Sequence, residues 1–196
     1  MIRLKTNEEI ASLRRGGAVL ARILDELSPL IAPGVSTEYL NDEAEDMMER
    51  YVATPALLGY RPEFAPRPYP ATICASVNGV VVHGIPNEKP YELKEGDTIG
   101  IDISIGYEGM IVDSARTLPV GLVSPDIQKL LRVTQEALAI GIEAAKAGRH
   151  IGDIGHAIET FVRPHGYGII EELCGHGVGY AVHEEPMVPN TGAKGT

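Results

Sequence analysis

Apolar positions recur at helical spacing near the start of the chain. Ile10, Leu13, Gly17, Leu20, Leu24 and Leu27 fall on one stripe and predict an amphipathic helix to about Leu30. Thr6, followed three residues later by Glu9, is a capping-box arrangement in which each side chain satisfies a first-turn N–H, and Ala32-Pro33-Gly34 ends the helix. A second helix starts after Thr37. Its acidic run Asp42-Glu43-Ala44-Glu45-Asp46 reads as a solvated face, because consecutive helical side chains point in different directions. Prolines at positions 62, 66, 68 and 70 then mark an irregular surface segment.

Beyond it the pattern changes to short β-rich runs at 72–77, 80–82, 98–103 and 110–113. Ser124-Pro125 opens a third helix that Gly148 closes, and a fourth spans about 151–163. Residues 168–182 are glycine-rich and strand-like, and 186–196 read as loop. Helix, helix, strands, helix, helix, strands is the order of an α+β fold with two similar halves in a single domain, about 1–120 and 121–196.

Gly106-Tyr107-Glu108-Gly109 has the composition of a four-residue hairpin loop between two of these runs. Pairing symmetric about Tyr107-Glu108 sets Asp102 directly opposite Asp113. Like charges opposed on one sheet face repel. Both aspartates sit among Ile99, Ile101, Ile103, Ile111 and Val112, so a shared cation or a shared proton is needed to offset the repulsion. A register slip of one residue would instead send one of them into water.

Among the histidines, His150, His156 and His165 lie on or beside helices without companions. His83 follows Val80-Val81-Val82 where a strand breaks into a turn, and His183 closes the apolar stretch Ala181-Val182. His176 is flanked by Gly175 and Gly177, which let the backbone approach closely and leave the imidazole as the one sizeable polar group. Imidazole together with carboxylate suits borderline divalent metals.

Composition narrows the partners. A net charge of -10 argues against a broad polyanion-binding face, so no direct nucleic-acid binding is expected, and 44% hydrophobic residues over 196 positions can bury a sizeable core. No apolar run approaches the roughly 18 residues of a membrane span, and Met1-Ile2-Arg3-Leu4-Lys5 has no signal-peptide character, so a cytoplasmic location and no membrane partner are expected. Cys74 and Cys174 offer neither a disulfide framework nor a zinc-finger spacing and read as reduced thiols.

Taken together, five segments resemble the type I methionine aminopeptidases, in family order and over nearly the whole chain. They are Val82-His83-Gly84-Ile85-Pro86, Gly100-Ile101-Asp102, Val112-Asp113-Ser114-Ala115-Arg116-Thr117, Gly175-His176-Gly177-Val178-Gly179 and His183-Glu184-Glu185-Pro186. The resemblance implies a pita-bread fold, with two pseudo-symmetric α+β halves around a site for two divalent ions (cobalt, manganese, iron or zinc). It implies removal of the N-terminal initiator methionine from nascent proteins by metal-assisted hydrolysis, in which the ions acidify a water and polarise the scissile carbonyl. On it, Asp102, Asp113 and His176 match metal ligands, with Asp113 bridging. His83 and His183 match the histidines that contact substrate and transition state. Cys74, Tyr60 and Tyr69 match the wall of the methionine pocket.

The same resemblance sets two glutamate ligands on strands beyond the position of Thr196. On that reading the chain is C-terminally truncated with its second half incomplete, and full activity is not expected of it. A non-catalytic pita-bread protein that binds a peptide or a ribosomal partner is the alternative, and a proline-specific relative on the same fold is a further one. The ribosome is a candidate partner, and a complete protein would be a monomer. Residues 61–68 look inserted beside the substrate rim.

Overall fold

The structure, a computed structural model, describes residues 2–63 and 65–196; Met1 and Phe64, the latter within the proline-rich segment, lie outside the described residues. The chain divides into two compact units. The larger comprises Arg3–Ser124 with Val178–Val182, and the smaller Pro125–Gly177 with His183–Thr196 and, of the described N-terminal residues, Ile2.

The larger unit opens with helix α1 (Asn7–Leu27), capped by Thr6. The Thr6 hydroxyl accepts from the Glu9 N–H at 3.2 Å, and the Glu9 carboxylate accepts from the Thr6 N–H at 2.8 Å. Helix α2 (Thr37–Arg50) follows, with Ser36 accepting from the Tyr39 N–H at its start. Four strands form one sheet: β1 (Thr54–Pro55), β2 (Cys74–Val77), β3 (Thr98–Tyr107) and β4 (Met110–Pro119). β3 is central. β4 runs antiparallel along one edge, while β2 and the short β1 share the other.

Alternation along β3 sorts its side chains. Ile99, Ile101, Ile103 and Ile105 are buried against Leu20, Ile23, Leu24 and Leu27 of α1 and Leu40, Ala44, Met47 and Met48 of α2. Cutting one of these isoleucines back to alanine costs about 2–5 kcal/mol. That face anchors the sheet to the helices, and Thr98, Gly100, Asp102, Ser104 and Gly106 point the other way. Gly16 permits the close approach of α1, since a Cβ there would lie 3.3 Å from the Cβ of Tyr107.

Two expectations fail in this unit. The 80–82 run is not a strand; Val80, Val81 and Val82 are exposed in a loop. Asn78 takes a left-handed φ of 51° and ends β2, and the strand edge is met instead by Gly84, whose carbonyl accepts from the Ala75 N–H at 2.8 Å. The β3–β4 connection is also tighter than a four-residue loop. Tyr107 pairs with Met110 around a two-residue turn, Glu108-Gly109, with φ of 47° and 78°. Left-handed dihedrals at both positions give the type I′ turn whose twist matches the strands.

The smaller unit holds helices α3 (Pro125–Ala144) and α4 (Ile151–Val162) and the two-stranded ladder β5 (Cys174–Gly177) and β6 (Glu184–Pro189). α3 and α4 touch at Gly141, where a Cβ would come within 2.9 Å of Ile158. α4 packs as closely on the segment after β6: a Cβ at Gly155 would meet the Thr191 carbonyl oxygen at 2.4 Å. The loop expected at 186–196 therefore begins as a strand, its prolines tolerated because β6 is an edge. Of the strand-like 168–182, only Cys174–Gly177 is a strand, and Val178–Val182 joins the larger unit as a turn segment.

Candidate active site

The tight turn fixes where the two aspartates fall. Asp102 pairs with Ala115, and Asp113 with Ser104, so the direct Asp102–Asp113 pairing expected from the sequence is corrected by two positions. A two-residue offset preserves the face. The carboxyls remain diagonal neighbours on the side of the sheet turned away from the helices, and they share a hydrogen bond. Glu108 holds the turn in place, its carboxylate accepting from Arg15 Nε at 2.9 Å and from the Ser12 hydroxyl at 3.2 Å. The Asp102 carboxyl is held well above the usual carboxylate range, first by burial and then by the charge and hydrogen bond of Asp113.

Beside this pair lies a small apolar cluster. Cys74 is the direct partner of Asp102 on β2, and it packs with Leu57, Val182, Ala56, Tyr60, Tyr69 and Ile111. Burial pushes the Cys74 thiol up to about 12, with Tyr69 beside it and the two aspartates adding to its surroundings. The Tyr69 hydroxyl reaches the carbonyls of Ile73 at 3.1 Å and Gly84 at 2.9 Å, stitching the loop after His83 to the start of β2. Burial raises the Tyr69 phenol strongly as well, and the Cys74 thiol adds to this. Val182 enters the cluster because the 178–182 segment runs along β4, the Ile111 N–H donating to the Gly179 carbonyl at 2.7 Å.

His83 is exposed with a φ of 58°. The glycine after it is obligatory, since a Cβ on Gly84 would lie 2.3 Å from the Ala75 carbonyl oxygen. The Gly84 N–H donates to the Ser76 hydroxyl at 3.1 Å, so the backbone beside His83 is clamped to β2 while its imidazole faces outward.

In the smaller unit His176 and His183 come together across the β5–β6 ladder, ring centroids 4.2 Å apart. A bulge between His176 and Gly177 brings Gly177 opposite Glu184, and a Cβ at Gly177 would meet the Glu185 carbonyl oxygen at 2.7 Å. His176 Nδ1 lies 3.0 Å from the Gly177 carbonyl. A carbonyl only accepts, so Nδ1 is the donor of this bond, which in the neutral tautomer makes Nε2 the nitrogen that could ligate a metal.

Among the described residues, no three His, Cys, Asp or Glu side chains are gathered as a ready cage for a metal ion. The nucleus of a site is the aspartate pair. Two half-buried carboxyls set side by side on one sheet face are hard oxygen donors whose mutual repulsion a divalent cation would relieve, and this chemistry fits a metal. Sequence reasoning missed Leu57 and Val182 in the apolar cluster, which no local motif marks. It also missed Ser104, which alternation from Asp102 sets on the carboxylate face.

A profile of metallopeptidase family M24 matches residues 11–196. Methionine aminopeptidase B of Synechocystis sp. is 42% identical over 193 residues, covering 98% of this chain and 70% of that protein. The methionine aminopeptidase of Aquifex aeolicus is 43% identical over 189 residues, covering 96% and 73%. Among solved structures, methionine aminopeptidase from Thermotoga maritima superposes with a TM-score of 0.93 at 35% identity, over 100% of this chain and 76% of that one. The prolidase of Pyrococcus furiosus shares the fold alone, at 22% identity and a TM-score of 0.77 over 95% and 52%. The fold is thus the pita-bread fold of metal-dependent peptidases. The chain belongs to metallopeptidase family M24, within its methionine aminopeptidase branch.

Proposed function

We propose that this protein is a metalloaminopeptidase that removes the N-terminal initiator methionine from nascent proteins, using two divalent ions drawn from cobalt, manganese, iron or zinc. The observation that carries the reading is the adjacency, on one sheet face, of the Asp102–Asp113 pair and the apolar cluster around Cys74. A hydrolytic centre for an apolar N-terminal residue needs both parts: oxygen donors for a Lewis acid, and a dry wall for an unbranched side chain. Leu57, Cys74, Tyr60 and Tyr69 supply the wall, with Cys74 paired to Asp102 across the β2–β3 ladder.

Asp102, Asp113 and His176 are the residues that would hold the metal. Bound divalent ions supply Lewis acidity, polarising a carbonyl and acidifying water. His83 would hold the peptide nitrogen, and His183 would donate a hydrogen bond to the oxygen on which charge develops. Identity near 40% with methionine aminopeptidases, against 21–25% with the proline-specific neighbours, favours methionine over proline chemistry.

The test is metal analysis of the purified chain together with release of methionine from a Met-Ala-Ser peptide. Stoichiometric uptake of manganese or cobalt and methionine release, both lost in Asp113→Asn, are the expected results. A chain that takes up no divalent metal yet binds the peptide would be a recognition module instead.

A further inference from the structure

Ser104 faces Asp113 directly across the β3–β4 ladder and shares a sheet face with Asp102, two residues before it. Its side chain is wholly buried, at 0% exposure, and its Oγ meets no hydrogen-bond partner among the described residues. Buried hydroxyls are nearly always hydrogen-bonded, so an orphan of this kind calls for a cause. Packing does not supply one. Ile103 and Ile105 on either side point to the opposite, helix-covered face, and alanine or valine would serve as filler at this position without burying a polar atom.

We propose that Ser104 is a positioning residue of the metal pair, its hydroxyl donating a hydrogen bond to the Asp113 carboxylate and fixing the plane in which that carboxylate presents its oxygens. The proposal rests on the reading of Asp102 and Asp113 as metal ligands. Directly opposed residues have Cβ atoms roughly 4.5–5.5 Å apart, a separation that a serine hydroxyl closes by rotating about χ1. A carboxylate offers about four lone-pair sites, enough to ligate cations and still accept one hydrogen bond. In the folded chain the Asp113 carboxyl is engaged with Asp102. With both aspartates committed to cations, the Ser104 hydroxyl is the donor opposite Asp113, and ligating carboxylates are as a rule held by such a bond.

The test uses the full chain stripped with a chelator and titrated with Mn²⁺ by calorimetry. Ser104→Ala is expected to weaken Mn²⁺ binding about 10–100-fold. It should leave the metal-free thermal midpoint unchanged or raised, because it removes a buried polar atom without a partner. Ser104→Thr keeps the hydroxyl and should bind as the parent does. Ser76→Ala should leave Mn²⁺ affinity unaltered, its hydroxyl being used by the Gly84 N–H. Parental Mn²⁺ affinity in Ser104→Ala overturns the role of Ser104, as does a loss of affinity accompanied by an equal loss of metal-free stability. A parent chain that takes up no Mn²⁺ overturns the metal reading itself, and the role of Ser104 with it.

Discussion

Asp102 and Asp113 are diagonal partners on the β3–β4 ladder, two residues out of direct register and hydrogen-bonded to each other on one sheet face. Neither carboxyl can be changed without changing the other's surroundings.

Asp113→Asn should therefore abolish Mn²⁺ uptake and cut methionine release by at least about a hundredfold, more than the loss of a supporting hydrogen bond would cost. Asp46→Asn, on α2 and remote from the pair in sequence and sheet, should behave as the parent. Peptide turnover followed by chromatography, with metal content measured on the same samples, separates the two.

The metal-free protein should lose stability as pH rises. Asp102 has a folded value of about 7 against an ordinary 3.8, so between those limits the folded state holds a proton that the unfolded chain has released. The contribution is fully present below about 4 and is lost as pH climbs through 7. Carboxylates held low, such as Asp97 and Glu9, act in the opposite sense but only at more acidic pH. Urea melts in chelator at pH 5 and 7.5 should show the fall, and Asp102→Asn should flatten it.

Cys74 should resist alkylation. With its thiol pushed up to about 12, the thiolate fraction at pH 8 is about one in ten thousand, and the side chain is buried as well. Iodoacetamide labelling at pH 8, read by mass spectrometry, should modify the half-buried Cys174 well before Cys74. Equal labelling would mean that the apolar cluster is open to solvent.

Two glycine-to-alanine changes should move stability in opposite directions. Gly17 sits inside α1 with nothing within 4 Å of its would-be Cβ, so Gly17→Ala should stabilise by about 0.5–1 kcal/mol. Gly155 abuts the backbone at Thr191 and Pro189, and Gly155→Ala should destabilise by about 1–3 kcal/mol. Denaturant midpoints of the two variants provide the comparison.

Local signals were readable where the physics is local. The Thr6–Glu9 capping box, the apolar stripe of α1, the start of α4 and the existence of a hairpin carrying two aspartates all stand in the sequence much as they fold. The register was not readable. Glu108 is an unusual occupant of a left-handed position, and what holds it there are Ser12 and Arg15, more than ninety residues upstream. Three consecutive valines at 80–82 read as a strand because propensity cannot tell that Gly84, not Val80, meets the edge of β2. Prolines hid β6, since edge position is decided by the fold. The five motif segments brought the family into view, yet nothing in them singled out Leu57 or Val182 for the apolar cluster.

The Glu108-Gly109 turn also limits how this hairpin can change length. One residue added to a single arm between the aspartates would turn one carboxyl toward the helices, into the isoleucine layer, whereas an insertion of two would return it to its original side. Natural or engineered length variants of this loop should therefore survive in even steps.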